Sequence, residues 1–451
     1  MLKVSKGFVR FSSTLGSAGV ESIGGNKFVP RVILHTMFNK DCTSITFRDK
    51  ETDPPETVSF SNLFLRDSSR SAKSTDKASG QKLFTTGQLL SNPQATTPSQ
   101  VNVTTDCQGL TIKWQDGDEY TYPLEFIVRY SRGLFDGKSG VLSPLLWDKK
   151  LLKSNIKELL STNYESLMNG TDLKPLFQML QNLQKYGICF VSNIPTETRS
   201  DAHVKRIAER IGNIQHTFYG ETFDVVNKGS PENIAYTSRA LPLHQDLLYL
   251  ESIPGWQLLH SIHNSDGAGD AGMNFFVDAF YAARIIRDTD ADAYEALKHV
   301  PINYHYMRDD KRYQEARPVI VENDMTTDNT MPSNYGDLIK QINYSPPFQA
   351  PFSFGIWEKP KGVDLSTPSS KLTERLLFKD FARRLALFEE IINKPDNQFR
   401  VKIPEGTCVI FNNRRILHGR TAFSGTRHLK GCYVDDDSFK SKLRYLSEKF
   451  M

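Results

Sequence analysis

The sequence predicts a mainly β protein with helices, in which a small N-terminal β domain precedes a larger domain. Residues 44–48, 57–60 and 110–114 alternate apolar and polar side chains at a period of two, which is typical of half-buried strands. Beyond residue 170, apolar side chains recur at helical spacing, and short apolar runs that are typical of buried strands follow them. Both kinds of element are therefore expected.

Length and charge define the broad class of protein. The chain has 451 residues, with 56 basic and 52 acidic side chains and a formal net charge of +4. Hydrophobic residues make up 39% and charged residues 24%, which fits a chain with a substantial core. No apolar run approaches the ~20 residues that span a bilayer, and the nearly balanced charge does not indicate a nucleic-acid partner. Five scattered cysteines indicate neither a disulfide framework nor a cysteine zinc site.

Residues 1–20 have the composition of a mitochondrial transit peptide. The segment contains three basic residues and several Ser and Thr, and its first acidic residue is Glu21. On a helix, its largest apolar side chains fall within about 60° of arc, and the basic side chains lie opposite them. The segment predicts import into mitochondria, with the folded chain starting near residue 25.

The first domain is expected over residues 25–135, and its sequence contains the pattern of a β hairpin. Asp116 and Gly117 separate two alternating runs, and an Asp-Gly pair in that setting is typical of a tight hairpin turn. Residues 67–80 are rich in Ser and Lys without periodicity, so they indicate a solvated loop.

The second domain is expected over residues 150–451. Leu and Phe at helical spacing predict a helix that ends before Gly187, and residues 188–191 predict a buried strand. Residues 308–352 form a long polar insertion, of the kind that often covers a site. Further helices are predicted at about residues 200–211, 279–287, 290–299 and 371–393.

The most informative segment contains an H-x-D pair. In a strand, His244 and Asp246 project from the same face because they lie two residues apart. Together they can bind one metal ion, and His418, at the end of a second predicted strand, would complete the two-histidine, one-carboxylate triad of non-haem Fe(II) oxygenases. Alone, each signal is weak, because polar strand ends and surface hairpins contain such residues by chance.

Arg427, nine residues after His418, is a candidate anchor for a dicarboxylic cosubstrate. Its planar guanidinium can make two parallel charge-assisted hydrogen bonds to a carboxylate. Arg414, Arg415 and Arg420 are nearby competitors, and a surface arginine is the simpler interpretation of each.

Seven short phrases occur in the order of one known family. The phrases are Phe-Tyr-Gly-Glu-Thr-Phe at 218–223, Asn-Ile-Ala-Tyr-Thr at 233–237, Leu-His-Gln-Asp at 243–246, Pro-Gly-Trp-Gln-Leu-Leu-His at 254–260, Val-Asp-Ala-Phe at 277–280, Leu-His-Gly-Arg at 417–420 and Arg-His-Leu-Lys-Gly-Cys-Tyr at 427–433. By these phrases, residues from about 176 to 446 resemble the catalytic domain of the γ-butyrobetaine and trimethyllysine dioxygenases, within the 2-oxoglutarate dioxygenases typified by taurine dioxygenase. The resemblance implies a double-stranded β-helix, or jelly roll, and Asn-Leu-Phe-Leu-Arg-Asp at 62–67 extends it into the first domain.

The resemblance implies roles for individual residues. His244, Asp246 and His418 are similar to the catalytic iron ligands of the family, Arg427 to the arginine that binds 2-oxoglutarate, and Asn274 to a polar residue that assists this cosubstrate. Aromatic residues would hold a trimethylammonium group, because a cation over a ring gains about 0.5–2 kcal/mol per contact. Core packing is the alternative for the aromatic residues. The positions similar to substrate-binding residues are Tyr219, Phe223, Asn233, Tyr236 and Tyr433.

The sequence also departs from the family. Where the family has a zinc-binding C-x-C-x-x-C run, residues 68–74 read Ser-Ser-Arg-Ser-Ala-Lys-Ser, so a structural zinc is not expected. Ser345 stands where the dioxygenases have an asparagine near the substrate carboxylate, and Leu247 replaces a polar or aromatic residue. These two differences leave open a substrate that is neither a betaine nor a lysine derivative.

The sequence thus predicts a mitochondrial Fe(II)- and 2-oxoglutarate-dependent dioxygenase. It would use O2 to hydroxylate a small trimethylammonium-type metabolite similar to γ-butyrobetaine, with release of succinate and CO2. The resemblance alone adds ascorbate as a cofactor and a homodimer as the assembly. Two alternatives stay open: a catalytically degenerate dioxygenase fold that acts as a mitochondrial interaction protein, and a non-haem iron enzyme that does not use 2-oxoglutarate.

Overall fold

The computed structural model describes most of the chain, in two compact units, Met1–Ser139 and Gly140–Met451. Of the predicted transit peptide, residues 1–20, only Val9–Arg10 lie within the described residues, and they form a short strand. The described residues are 9–10, 31–48, 52–131, 143–155, 161–196, 202–227, 234–264, 270–323, 338–352 and 368–450.

The N-terminal unit contains two antiparallel sheets and short helices. Its strands are β1 (Val9–Arg10), β2 (Val32–Phe38), β3 (Cys42–Arg48), β4 (Glu56–Ser61), β5 (Pro98–Val103), β6 (Gly109–Trp114) and β7 (Glu119–Pro123). Its helices are α1 (Asn62–Asp67), α2 (Thr86–Ser91), α3 (Pro93–Thr96) and α4 (Leu124–Ser131). One sheet has the order β1-β2-β3-β4 and the other β5-β6-β7.

The predicted alternation is visible in the strands of this unit. In β6, Leu110, Ile112 and Trp114 are buried in one core, whereas Lys113 between them is exposed. The predicted Asp-Gly hairpin joins β6 to β7, with Gly117 at a φ of +78°, a backbone conformation that glycine adopts without strain.

A buried ion pair lies in the segment where the family resemblance implies zinc ligands. Arg66 Nη1 lies 3.0 Å from Asp118 Oδ2, and both side chains are buried. The Ser74 hydroxyl accepts a hydrogen bond from Arg66 (2.6 Å) and donates one to Asp118 (3.0 Å), and the Ser69 hydroxyl also donates to Asp118. Serine hydroxyls and a guanidinium do not fit a structural zinc, which takes thiolate, imidazole or carboxylate ligands. The guanidinium here supplies the positive charge beside the carboxylate.

The C-terminal unit contains two larger sheets, β hairpins and flanking helices. Its strands are β8 (Ser161–Asn163), β9 (Ile188–Ser192), β10 (Thr222–Val226), β11 (Leu241–His244), β12 (Trp256–Asn264), β13 (Asn274–Asp278), β14 (Pro301–Arg308), β15 (Lys311–Pro318), β16 (Ile320–Glu322), β17 (Ile339–Ile342), β18 (Phe399–Val401), β19 (Thr407–Asn412), β20 (Ile416–Arg420) and β21 (Arg427–Val434). Its helices are α5 (Lys149–Asn155), α6 (Tyr164–Met168), α7 (Lys174–Tyr186), α8 (Ala202–Ile211), α9 (Ala279–Thr289), α10 (Ala291–His299), α11 (Pro368–Asn393) and α12 (Asp436–Phe450).

Two of these sheets pack on a shared core and form the predicted jelly roll. The major sheet has the order β10-β21-β12-β19-β9-β8, and the minor sheet has the order β11-β20-β13-β18. Phe276 of the minor sheet and Phe411 of the major sheet lie 5.5 Å apart between ring centroids, inside one buried cluster. The predicted fold class, mainly β with helices, is therefore confirmed.

Helices cover the outer faces of both sheets. Apolar residues of α7, α8 and α12 pack on the outer face of the major sheet, and those of α9, α10 and α11 belong to a cluster with the minor sheet. The predicted end of α7 is observed, because Gly187 adopts a left-handed φ of +73° at the helix C-terminus. Among the described helices, none is long and apolar enough to cross a membrane.

Candidate active site

The three predicted metal ligands converge at one end of the minor sheet. His244 ends β11 and pairs directly with His418 of β20, and their ring centroids lie 4.2 Å apart. One ligand atom from each of His244, Asp246 and His418 lies within 4.8 Å of the others. The structure therefore brings together side chains that are up to 174 positions apart in the sequence.

The position of Asp246 has a different cause from the one predicted. Strand β11 ends at His244, so Asp246 lies beyond the strand and its orientation does not follow from strand alternation. Instead, the side chain of Asn413 accepts a hydrogen bond from the Asp246 backbone N–H and donates one to its carbonyl, each 3.0 Å long. The next residue, Leu247, has a φ of +61°, which is uncommon for a bulky side chain. This side-chain bridge and the turn that follows Asp246 place the carboxylate beside the histidines.

The protonation states of these groups suit a bound cation. His244 Nδ1 lies 2.8 Å from the carbonyl oxygen of Pro242, which can only accept, so Nδ1 carries a proton and Nε2 is the ring nitrogen left to bind a metal. Burial lowers the pKa of His418 to about 3, so its ring is neutral near pH 7. Burial raises the pKa of Asp246, but contacts with His244, His418 and Tyr433 outweigh it, so the pKa lies below its ordinary value.

The donor set fits a divalent transition metal. His244 Nε2 lies 3.3 Å from Asp246 Oδ1, close enough for the two atoms to bind one ion. His418 Nδ1 is buried without a hydrogen-bond partner among the described residues. Two neutral imidazoles and one carboxylate are the ligands of the facial triad of non-haem iron. These three residues would hold the iron.

Two arginines line the same pocket. Arg427 begins β21 and is 4% exposed, and its Nη2 lies 3.4 Å from the side-chain oxygen of Asn274, a long contact. Burial and the neighbouring Arg420 lower the pKa of Arg427 to about 9, which leaves it protonated at neutral pH. The guanidinium is thus a buried cation beside the metal ligands, as a carboxylate anchor requires.

Arg420, which the sequence offers as a competitor of Arg427, also lines the pocket. Its Nη2 donates to the backbone carbonyls of Ala235 and Thr237, whereas Nε and Nη1 are buried without a partner among the described residues. The other two candidates lie elsewhere: Arg415 forms a buried ion pair with Asp278, and Arg414 binds a backbone carbonyl and Asp436.

An aromatic wall forms another part of the pocket. The predicted residues Tyr219, Phe223, Tyr236 and Tyr433 all line it. The rings of Phe223 and Tyr433 stack at 5.0 Å, and Gly431 makes room for Phe223, because a Cβ there would lie 2.4 Å from the ring. The predicted substrate-contacting Asn233 lies outside the described residues.

Several lining residues were missed by sequence analysis. Phe348 comes from the long insertion, and its ring packs on Tyr249 at 5.1 Å. Gln257 and Leu259 lie two positions apart in β12, and both line the pocket. Strand periodicity, which places such residues on one face, is the sequence signal that indicates Gln257. Ser345 is buried, and its hydroxyl has no partner among the described residues, but it is not part of the pocket lining.

Comparison with known proteins identifies the family to which this chain belongs. Residues 162–433 match the model of the taurine catabolism dioxygenase TauD, TfdA family. The chain belongs to this family. Residues 37–128, in the N-terminal unit, match the family described as gamma-butyrobetaine hydroxylase-like, N-terminal.

Relatives of this TauD-family chain cover nearly its full length. It is 46% identical over 434 residues to the Probable oxidoreductase AIM17 of Saccharomyces cerevisiae, covering 93% of this chain and 91% of that protein. It is 30% identical to the Dioxygenase str8 of Strobilurus tenacellus, covering 85% and 84%. It is 28% identical to the mitochondrial trimethyllysine dioxygenase of Homo sapiens, covering 86% and 82%. A crystal structure of a taurine dioxygenase from Burkholderia xenovorans aligns with a TM-score of 0.40 and 13% identity, covering 65% of this chain and 94% of that chain.

Family membership confirms the predicted enzyme class. This TauD-family protein is an oxidoreductase, a dioxygenase of the Fe(II)- and 2-oxoglutarate-dependent type, and it acts on a small molecule with O2. The His-Asp-His cluster at the pocket agrees with that class.

Proposed function

We propose that this dioxygenase hydroxylates a C–H bond of a small trimethylammonium-type metabolite in mitochondria. The observation that carries the proposal is one pocket that combines three metal donors, a buried arginine and an aromatic wall. Among the described residues that line this pocket, Asp246 is the only carboxylate. Because that carboxylate would bind the iron, the aromatic rings are the groups in this pocket that can bind a cationic substrate.

The aromatic wall suits a quaternary ammonium ion in particular. Such an ion has no N–H group to donate, so it gains little from hydrogen-bond acceptors and binds well over aromatic faces. Tyr219, Phe223 and Tyr433 offer rings from three neighbouring positions, with 6.2 Å between Tyr219 and Phe223 and 5.0 Å between Phe223 and Tyr433. We assign these rings, with Tyr236, to substrate binding.

The residues of the chain divide the work of the reaction. His244, Asp246 and His418 hold the iron, Arg427 binds the far carboxylate of 2-oxoglutarate, and Asn274 supports that arginine. When bound, iron and 2-oxoglutarate supply the oxidising chemistry, in which O2 is consumed, succinate and CO2 are released, and one oxygen atom enters the substrate. Burial of the two histidines limits the access of water to the reacting groups.

The relatives and the N-terminus support the rest of the proposal. Trimethyllysine dioxygenases from fungi and vertebrates are 25–29% identical to this chain. Those of Mus musculus and Homo sapiens are mitochondrial trimethyllysine dioxygenases. The basic, acid-free composition of residues 1–20 agrees with that location.

Anaerobic titration with Fe(II) and 2-oxoglutarate tests the metal and cosubstrate sites. We expect a coloured charge-transfer band in the wild-type protein and no band in His244→Ala. A correctly folded wild-type protein that gives no band would overturn the proposal and favour a degenerate dioxygenase fold that serves as an interaction protein.

Succinate release tests the substrate class. The panel pairs each quaternary amine, including γ-butyrobetaine and trimethyllysine, with its neutral tert-butyl analogue of the same shape. We expect turnover with a trimethylammonium compound and at least about tenfold less with its neutral partner, because a desolvated cation–π set contributes 2 kcal/mol or more. Equal turnover of the two partners would contradict the cationic class but not the dioxygenase activity.

A further inference from the structure

The carboxylate of Asp246 is held at one of its two oxygens. Its Oδ2 accepts a hydrogen bond of 2.6 Å from the Gln257 side-chain amide and one of 2.8 Å from the Tyr433 hydroxyl. Its other oxygen, Oδ1, faces His244 Nε2 at 3.3 Å. The two oxygens therefore have different environments. Oδ2 accepts two hydrogen bonds, whereas Oδ1 faces a histidine nitrogen of the metal cluster.

The pairing of two strands explains why both donors reach the same atom. Gln257 of β12 and Tyr433 of β21 are direct cross-strand partners, so their side chains lie next to each other on one face of the major sheet. Both residues are almost fully buried, at 2% and 3% exposure, which keeps water from competing for Oδ2. A carboxylate oxygen only accepts, so the NH2 group of Gln257 and the hydroxyl proton of Tyr433 both point to it.

We propose that Gln257 and Tyr433 are positioning residues that hold Asp246 as a one-oxygen ligand of the iron. The inference rests on the proposed function, because it assigns the residues that orient a ligand of the same centre. With Oδ2 engaged by two donors, only Oδ1 is available to the metal. A carboxylate without this restraint is able to bind through both oxygens and to take up a coordination position that the facial triad leaves open.

This inference changes the role of Tyr433. The family resemblance places this residue in the substrate cage, and its ring does stack on Phe223. Its hydroxyl, however, is used by Asp246, and a cage role needs only the ring. The two roles therefore differ in their response to Tyr433→Phe, which keeps the ring and removes the hydroxyl.

The test measures binding of Co(II) alone, in the absence of 2-oxoglutarate and substrate, to the full-length protein. We expect Tyr433→Phe and Gln257→Leu each to bind Co(II) about 10- to 100-fold more weakly than wild type, the usual effect of removing an outer hydrogen bond to a metal ligand. We also expect the visible spectrum of bound Co(II) to change, because that spectrum reports the coordination number. Tyr304→Phe is the matched control: it removes the hydroxyl of another buried tyrosine, one that donates to the Asn343 carbonyl and does not line the pocket, and Co(II) affinity should stay at the wild-type value.

The possible results separate the two proposals. Wild-type Co(II) affinity and spectrum in both variants would overturn the positioning role and leave the proposed function intact. A folded wild-type protein that does not bind Co(II) would overturn both. Circular dichroism checks folding, and Tyr433→Phe, the smaller change, carries the test on its own where Gln257→Leu does not fold.

Discussion

At the scale of single residues, the pocket holds two buried arginines that form no ion pair with any described residue. Arg420 and Arg427 are both buried, and burial lowers the pKa of Arg420 to about 10 and contributes, with Arg420, to the lowered pKa of Arg427. Two buried guanidiniums with unpartnered N–H groups among the described residues are costly unless an anion binds. A dicarboxylate such as 2-oxoglutarate meets that need.

Replacement of Arg427 should therefore weaken the cosubstrate rather than the fold. We expect Arg427→Gln to raise the KM for 2-oxoglutarate about 10- to 100-fold, because a charge-assisted hydrogen bond contributes about 1.5–3 kcal/mol. Steady-state succinate release at varied 2-oxoglutarate measures this. Arg414→Gln, a nearby arginine outside the pocket lining, is the control and should keep the wild-type KM. Substrate-dependent O2 consumption that is unchanged in Arg427→Gln and releases no succinate would instead favour an iron enzyme that does not use 2-oxoglutarate.

At the scale of elements, the contact between β11 and β20 determines the site geometry. These strands carry His244 and His418 as direct partners. Gly419, next to His418, permits their close approach, because a Cβ there would lie 2.7 Å from the Leu241 carbonyl oxygen and 2.5 Å from the Phe275 ring. The backbone carbonyl cannot move aside without moving its strand.

A methyl group at Gly419 should separate the two strands. We expect Gly419→Ala to lower the free energy of unfolding of the C-terminal unit by about 1–3 kcal/mol, as overpacking usually does, and to weaken Co(II) binding as well. Denaturant unfolding and metal titration measure the two effects. Gly170→Ala is the control, since no atom lies within 4 Å of its added Cβ. Equal stability of the two variants would show that the strands tolerate the separation.

The ion pair of the N-terminal unit gives a second prediction at this scale. Removing one partner of a buried pair leaves an uncompensated charge, so we expect Asp118→Asn to cost about 3 kcal/mol of unfolding free energy. Asp67→Asn, which breaks the more exposed pair with Lys82, should cost no more than about 1 kcal/mol. EDTA should leave the unfolding transition of this unit unchanged. A stabilising effect of Zn(II) on the wild-type unit would contradict the view that Arg66 and Asp118 need no metal.

At the scale of the whole molecule, His260 makes stability depend on pH. This residue of β12 is 2% exposed, and neither ring nitrogen has a hydrogen-bond partner among the described residues. Burial, with His203 of α8 and His428 of β21 nearby, lowers its pKa to about 4. Below its ordinary pKa of 6.5 the unfolded chain binds a proton that the folded protein does not, so acid favours unfolding.

The expected loss is about 3 kcal/mol of unfolding free energy between pH 6.5 and pH 4, from 1.36 kcal/mol per pKa unit. Urea unfolding at several pH values measures it, and His260→Phe should flatten this part of the profile. If the variant and the wild-type protein lose stability in parallel, the dependence belongs to other groups.

Local signals in the sequence are enough for the elements and for the identity of the central residues. The alternation in β6, the Asp-Gly turn after it and the glycine at the end of α7 each act over a few residues, so a sequence reading can detect them. The H-x-D pair, together with a distant histidine, names His244, Asp246 and His418 as candidates, and the family resemblance adds Arg427.

Tertiary structure decided how these residues act together. Asn413 orients the Asp246 backbone from 167 positions away, and the register of β12 on β21 places Gln257 and Tyr433 at one carboxylate oxygen. Phe348 enters the pocket in the same way, from the long insertion, which no local pattern links to the metal ligands. Such contacts depend on strand register and side-chain packing between distant segments, and a period of two or 3.6 residues contains no information about either.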